Sequence, residues 1–244
     1  VKAPVRARTQ RGATKGVRRA QLSEEVASHL RGAIMTGRLR PGTFIRLDDT
    51  AAELGVSITP VREALLTLRG EGMVDLEPHR GHVVLPLSRT DVQDIFWLQS
   101  TIAKELAASA CARMTDEEID ELERLGDELA DAVAAADATA ITATEFEFHR
   151  AFNHAADRLK LAWFLLHATR YTPHLLYATD PGWGADAVEN HRLLIAALRA
   201  RDTAEVVRLT EWQFTDGARR LTEVLEDSGL WETPAPEPGR SGAQ

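Results

Sequence analysis

Several things are scarce in this sequence. There is one cysteine, Cys111, in 244 residues. A lone cysteine excludes an intramolecular disulfide and fits a reducing, cytoplasmic setting, and in its alanine-rich surroundings the thiol reads as a small core hydrophobe. No stretch approaches the roughly 18 unbroken apolar residues of a spanning helix, so no membrane partner is expected. The basic N-terminus lacks the apolar segment of a secretory signal. No activated nucleophile, oxyanion hole or glycine-rich phosphate motif can be read, which speaks against an enzyme, and no internal repeat stands out. Acid is missing from residues 1–19, which hold Lys2, Arg6, Arg8, Arg11, Lys15, Arg18 and Arg19. Without apolar periodicity, residues 1–19 are expected to form a disordered basic arm, either a solvated tail or an arm lying on DNA phosphates.

What is present suggests two domains of ordinary size, with hydrophobic residues at 44%. The net charge of −8 hides an asymmetry. Residues 1–86 hold 14 Lys+Arg and 9 Asp+Glu, and residues 87–244 hold 15 and 28. A basic first third on an acidic remainder is the pattern of one domain that meets phosphate and another that does not.

Residues 20–87 read as one unit. Val26, Leu30 and Ile34 recur at spacing four over a helix 23–37, which Ser23 can cap and Gly37 stops. Arg40-Pro41-Gly42 is a turn, 47–54 a short helix, and 59–71 a third helix with Pro60 in its first turn. Two short apolar strands, 73–76 and 82–85, flank a hairpin tip at Glu77–Gly81. Three short helices and a hairpin make a winged helix-turn-helix. In that pattern the second helix of the pair enters the major groove and needs polar residues at its leading end over an apolar back face. Gly55-Val56-Ser57 supplies the turn, Ser57, Thr59 and Arg62 the outward face, and Val61, Leu65 and Leu68 the packed stripe. Arg62 suits a guanine edge or a phosphate. Alternatively it is a surface arginine paired with Glu63 or Glu71. At the tip, His79, Arg80 and Gly81 could place a cation at the minor groove, or form a plain turn.

Residues 88–228 read as an all-helical bundle of six helices: 89–113, 116–136, 138–156, 159–178, 185–200 and 203–227. Ser88, Thr115 and Asp202 are candidate caps, Thr115–Glu118 being a capping box. Asp180-Pro-Gly-Trp-Gly184 reads as a loop, and residues 229–244 as a disordered tail. Phe146, Phe148, Phe152, Trp163 and Phe164 read as core. His167, Arg170, Tyr171, His174 and Tyr177 share a polar stripe, kinked at Pro173, that suits a pocket wall, a dimer interface or ordinary amphipathic packing. The fold class is thus mainly α: an N-terminal winged helix-turn-helix and a C-terminal six-helix bundle.

At the residues Leu39-Arg-Pro-Gly-Thr43, Ala52-Glu-Leu-Gly-Val-Ser-Ile-Thr-Pro-Val-Arg-Glu-Ala-Leu65, Glu71-Gly-Met-Val74 and Arg80-Gly81, the sequence resembles the GntR family of transcription regulators. The remainder is similar to the FCD ligand domain of that family's fatty-acid-regulator branch, at Glu145-Phe-Glu-Phe-His149 and at Glu189-Asn-His191 followed by Ile195-Ala-Ala-Leu198 and Arg201-Asp202. The resemblance implies a homodimer on a double-stranded DNA operator, with Ser57, Thr59, Pro60, Arg62, His79, Arg80 and Gly81 at the DNA. It implies repression relieved by a small-molecule effector such as an organic acid. It also implies a divalent transition metal of the zinc or nickel class on Glu145, His149 and His191, with Gln213 in the fourth place and Gln99 toward the effector; Arg170, Tyr171 and His174 of the polar stripe are further candidates for the effector pocket by their spacing. Three departures stand out. Ile58 replaces an arginine common in relatives, so operator preference does not transfer. Gln213, a poor transition-metal ligand, replaces a histidine. Gln99 replaces an arginine that faces a carboxylate effector. Three other readings remain: histidines His149 and His191 that hydrogen-bond Glu145 and Gln213 without metal, a constitutive DNA binder without effector, and a metal-dependent enzyme.

Overall fold

The structure is a computed structural model that describes residues 11–232. Its order is α1 (Arg11–Met35), β1 (Phe44–Ile45), α2 (Leu47–Glu53), α3 (Ile58–Gly70), β2 (Val74–Glu77), β3 (Gly81–Val84), α4 (Arg89–Arg113), α5 (Asp116–Ala134), α6 (Ala138–Ala155), α7 (Leu159–Ala168), a 3-10 turn (Thr169–Tyr171), α8 (His174–Ala178), α9 (Pro181–Arg199) and α10 (Thr203–Asp227). The expected fold class is the one found: a winged helix-turn-helix followed by a helical bundle.

In the head, α1 and α3 pack through Val26, Leu30 and Ile34 against Val61, Leu65 and Leu68, all buried, so the spacing-four stripes meet as their periodicity requires. Gly55, at φ +65°, makes the turn into α3 that a residue with a Cβ would resist. The three antiparallel strands run in the order β1-β3-β2, with Leu76 opposite His82 and Glu77 opposite Gly81. β1 was not foreseen; two residues are too few to show a period.

The bundle is built on α4 and α10, which pack closely along their length. Gly217 makes this possible, because a Cβ there would stand 3.0 Å from Cε1 of Phe96. Capping boxes at Ser88/Asp91 and Thr115/Glu118 start α4 and α5 where expected. The apolar cluster of the head continues into the bundle through Val92, Phe96, Tyr177, Leu221 and Leu225.

Four expectations need correction. The first helix begins at Arg11, not Ser23, so residues 11–19 of the expected disordered arm are helical; alanine, lysine and arginine there are good helix formers. The remainder of that arm, 1–10, lies outside the described residues. The expected loop at 180–184 is the first turn of α9, because Asp180 accepts from the Gly182 N–H and Pro181 suits the first helical position. The helix expected over 159–178 is broken at Thr169–Pro173. Finally, the tail does not begin at 229: Leu230 and Trp231 pack on the apolar cluster, the Trp231 Nε1–H donates to the Leu87 carbonyl at 2.7 Å, and the Arg89 guanidinium lies 4.7 Å from the Trp231 ring centre. Residues 233–244 lie outside the described residues.

Candidate nucleic-acid interface and metal centre

Ser57 is the N-cap of α3, and its hydroxyl makes no capping bond. Ser57 and Arg62 are exposed and Thr59 half-buried, so the leading end of α3 presents two hydroxyls and a guanidinium outward. The acids that could have neutralised Arg62 are engaged elsewhere. Glu63 accepts from Ser23 Oγ at 2.6 Å, and Glu71 takes both Nε and a terminal nitrogen of Arg31 at 2.8 and 2.9 Å. Among the described residues no ion pair holds Arg62. Pro60 is buried, so it shapes the first turn and does not face outward. At the wing tip His79 is exposed at φ +65°, and Gly81 sits at φ +107°. Arg80 folds back on its own hairpin, 2.9 Å from Glu77 and 4.2 Å from the Phe44 ring centre. Its charge is therefore partly met within the wing.

In the bundle, α6 and α9 bring a polar cluster together amid Leu194, Leu198 and Leu209. Glu145 and His149, one helical turn apart, share a face of α6, with Glu145 Oε2 and His149 Nε2 at 3.2 Å. From α9, His191 Nε2 lies 3.6 Å from Glu145 Oε1, and its ring stacks on Phe148 with centres 3.8 Å apart. Gln213, on α10, reaches His149 Nε2 at 2.7 Å. One ligand atom from each of Glu145, His149 and His191 falls within 4.8 Å of the others.

The cluster is short of partners. Among the described residues Glu145 Oε1 and both nitrogens of His191 are buried without a hydrogen bond, as is Oδ1 of the neighbouring Asn190, whose Nδ2 donates to the Leu209 carbonyl. Burial pushes the His191 pKa down to about 4, against the pull of Glu145. Burial would raise Glu145, but the imidazoles of His191, His149 and His174 outweigh it and hold its pKa below the usual range. At neutral pH Glu145 is therefore a carboxylate and His191 an unprotonated imidazole, the forms that bind a metal. The residues present fit a divalent transition metal: three converging donors, two of them with unpartnered buried atoms.

The remaining predicted effector residues separate. His174 lies within electrostatic reach of Glu145 and His149; the protein around it lowers its pKa, while a hydrogen bond with the Thr169 backbone and nearby Glu145 raise it. Gln99 does not join the cluster. It is fully buried and spent on backbone and side chain, Nε2 donating to the Ala168 carbonyl at 2.8 Å and Oε1 accepting from Thr172 Oγ1 at 3.3 Å. Arg170 and Tyr171 turn to the head and meet Glu71, because the 3-10 turn carries them off the face that an unbroken helix would have given. Phe148 and Phe152 are core as expected, but Phe146, Trp163 and Phe164 are about half exposed. Sequence reasoning missed Asn190. Its place beside His191 was the available signal, but side-chain satisfaction cannot be read from spacing.

Among the described residues no helix is long and apolar enough to cross a membrane. Two family models match: the bacterial regulatory proteins of the gntR family over residues 22–84, and the FCD domain over residues 94–212. The chain is 28% identical over 193 residues to the HTH-type transcriptional regulator McbR of Escherichia coli K12, covering 78% of this chain and 87% of McbR. It is 24% identical over 228 residues to the gluconate operon transcriptional repressor of Bacillus subtilis 168, covering 89% of each. Among solved structures, that of E. coli McbR/YncC superposes with a TM-score of 0.64 at 26% identity, covering 83% of this chain and 97% of that one. With α3 and its wing inside the first match and the Glu145–His191 cluster inside the second, the chain belongs to the GntR family of transcription regulators, in the branch with an FCD effector-binding domain.

Proposed function

We propose that this regulator acts in the cytoplasm as a homodimeric repressor. It binds an imperfect palindromic operator through Ser57, Thr59 and Arg62, and a small organic acid held at the Glu145–His149–His191 cluster releases it. The observation that supports DNA reading is the exposed Arg62, without an ion pair among the described residues, over an apolar back face at the uncapped end of α3. A two-fold dimer would set two recognition helices about 34 Å apart on one face of the duplex. Residues 20–87 are the DNA-binding unit in this reading, and residues 88–228 the sensing and dimerisation unit.

Glu145, His149 and His191 would hold a zinc- or nickel-class ion, with Gln213 at its side. When bound, the ion supplies positive charge and open coordination positions. Those positions suit an effector carboxylate, and Gln99, which stands where relatives carry an arginine, is tied to the Ala168 carbonyl. The chain's part is to keep the His191 imidazole unprotonated through burial and to shield that side of the site with Phe148 and Leu194. The Gln213–His149 bond favours a second reading, a constitutive DNA binder whose cluster is closed on itself. No residue here is assigned a catalytic role.

The test is selection of duplexes from a random-sequence pool, followed by anisotropy titration. Enrichment of a palindrome is expected, and Arg62→Ala should weaken its binding by about 1–3 kcal/mol while leaving scrambled DNA little changed. Equal binding of selected and scrambled duplexes by the wild type would sink the reading.

A further inference from the structure

The break between α7 and α8 touches both halves of the molecule. α7 stops at Ala168, the 3-10 turn occupies Thr169–Tyr171, and α8 restarts at His174 behind Pro173. Gln99 of α4 ties the break from both sides, through the Ala168 carbonyl and the Thr172 hydroxyl. On one side the Tyr171 hydroxyl donates to the Glu71 carbonyl, and Arg170 reaches the Glu71 carboxylate at 3.4 Å. Glu71 is the C-cap of α3. On the other side α8 packs on α6, the helix of Glu145 and His149, with His174 within electrostatic reach of both.

We propose that the segment Thr169–His174 is a relay, which carries the state of the Glu145–His149–His191 cluster to the C-terminal end of α3 through His174 at one end and Tyr171 and Arg170 at the other. It rests on the reading of α3 as the recognition helix and of the cluster as the effector site. The geometry suits motion. A 3-10 turn followed by proline is more weakly bonded along its backbone than a continuous helix, since Pro173 has no N–H and 3-10 bonds are poorly aligned. A cleft of about 290 Å³ opens beside Tyr171, between Met35, Met73, Leu87 and Ile95, so the ring has room that a close-packed core would deny it. When Tyr171 leaves the Glu71 carbonyl, the Glu71 carboxylate keeps its two bonds from Arg31. The head then stays folded while one of its ties to the bundle is released. Such a discrete two-position element is what coupling between distant sites requires.

Hydrogen exchange on the full chain tests this, with Zn(II) or a chelator as the probe and calorimetry to follow zinc binding. In the wild type, zinc is expected to change exchange several-fold in both 169–174 and 58–72. In Tyr171→Phe zinc should bind as before and still alter 169–174, with the change at 58–72 reduced to less than twofold. An undiminished response at 58–72 in Tyr171→Phe, or a silent 58–72 in zinc-loaded wild type, overturns the relay. If no zinc binds, the metal reading fails separately, and His174→Ala replaces zinc as the perturbation. Its effect on 58–72 must be present in the wild-type background and absent in the Tyr171→Phe background, and additive effects overturn the proposal.

Discussion

His191 is 1% exposed, and among the described residues neither ring nitrogen has a hydrogen-bond partner. Leaving a buried polar group unmet costs about 1–3 kcal/mol, so this residue is expensive unless something fills the place beside it. Sharing that place are Glu145 Oε1 and His149 Nε2, which makes one small charged species a better fit than separate partners. The His149→Ala, His191→Ala double variant should therefore lose stoichiometric zinc in equilibrium dialysis. If the wild type binds zinc, it should be stabilised by the ion, by about 2.7 kcal/mol at a hundredfold excess over Kd, and the double variant should not. A wild type that stays metal-free after zinc loading would leave the two histidines as structural residues closed on Gln213. Arg62 is the complementary case, a surface charge without an ion pair among the described residues, where a phosphate or a guanine edge can meet it.

Helices α4 and α10 form the spine of the bundle, and their close approach depends on the one position without a side chain. Gly217 faces Phe96, and its carbonyl accepts from the Tyr177 hydroxyl at 2.7 Å, so α8 is pinned to the same spot. A Gly217→Val substitution would push α10 off α4. A loss of about 1–3 kcal/mol is expected from overpacking, read as a lower midpoint in urea denaturation. Zinc stoichiometry should be less affected, because Gln213 is the only member of the cluster on α10. An unchanged midpoint would mean that α10 can shift without cost.

Across the whole molecule, burial lowers three histidines: His82 in the wing, and His174 and His191 in the bundle. Each binds its proton less readily in the folded chain than in the unfolded one. Unfolding therefore takes up protons, and stability is full above the unfolded value of 6.5 and falls as pH drops through the lowered native values. For His191 the window runs from 6.5 to about 4, worth about 3 kcal/mol. Glu145, also lowered, adds loss of the same sign in acid. Thermal melting of chelator-treated protein should drop steadily between pH 6.5 and about 4, and a flat profile would contradict the burial of His191. Charge asymmetry acts at the same scale. Removing residues 1–19, with seven cations and no acid, should weaken selected and scrambled duplexes alike. It should also make the salt dependence shallower, by about 0.9 in the log–log slope for each phosphate that the arm no longer neutralises. A changed sequence preference at constant slope would mean that the arm reads bases.

The fold class and the identity of the cluster were legible in the sequence. Caps are local signals, so Ser88 and Thr115 set the starts of α4 and α5 with no help from the rest of the chain. The spacing of Glu145 and His149 puts them on one face of any helix, and the stripes of Val26–Ile34 and Val61–Leu68 name their own buried sides. Other features depend on what lies far away in sequence. Asp180 reads equally as a loop residue and as a cap, and the chain that follows it, packing through Ala187, Leu194 and Leu198, makes it a cap. Gln99, by its residue type, could have faced a ligand; the broken end of α7, some seventy positions on, takes both ends of its amide. Arg170, Tyr171 and His174 form one stripe only if the helix is continuous, and the 3-10 turn before Pro173 sends the first two to Glu71 and the third toward Glu145. Periodicity and capping are set by neighbours along the chain, whereas the partners of a buried polar group are set by whichever segments folding brings against it.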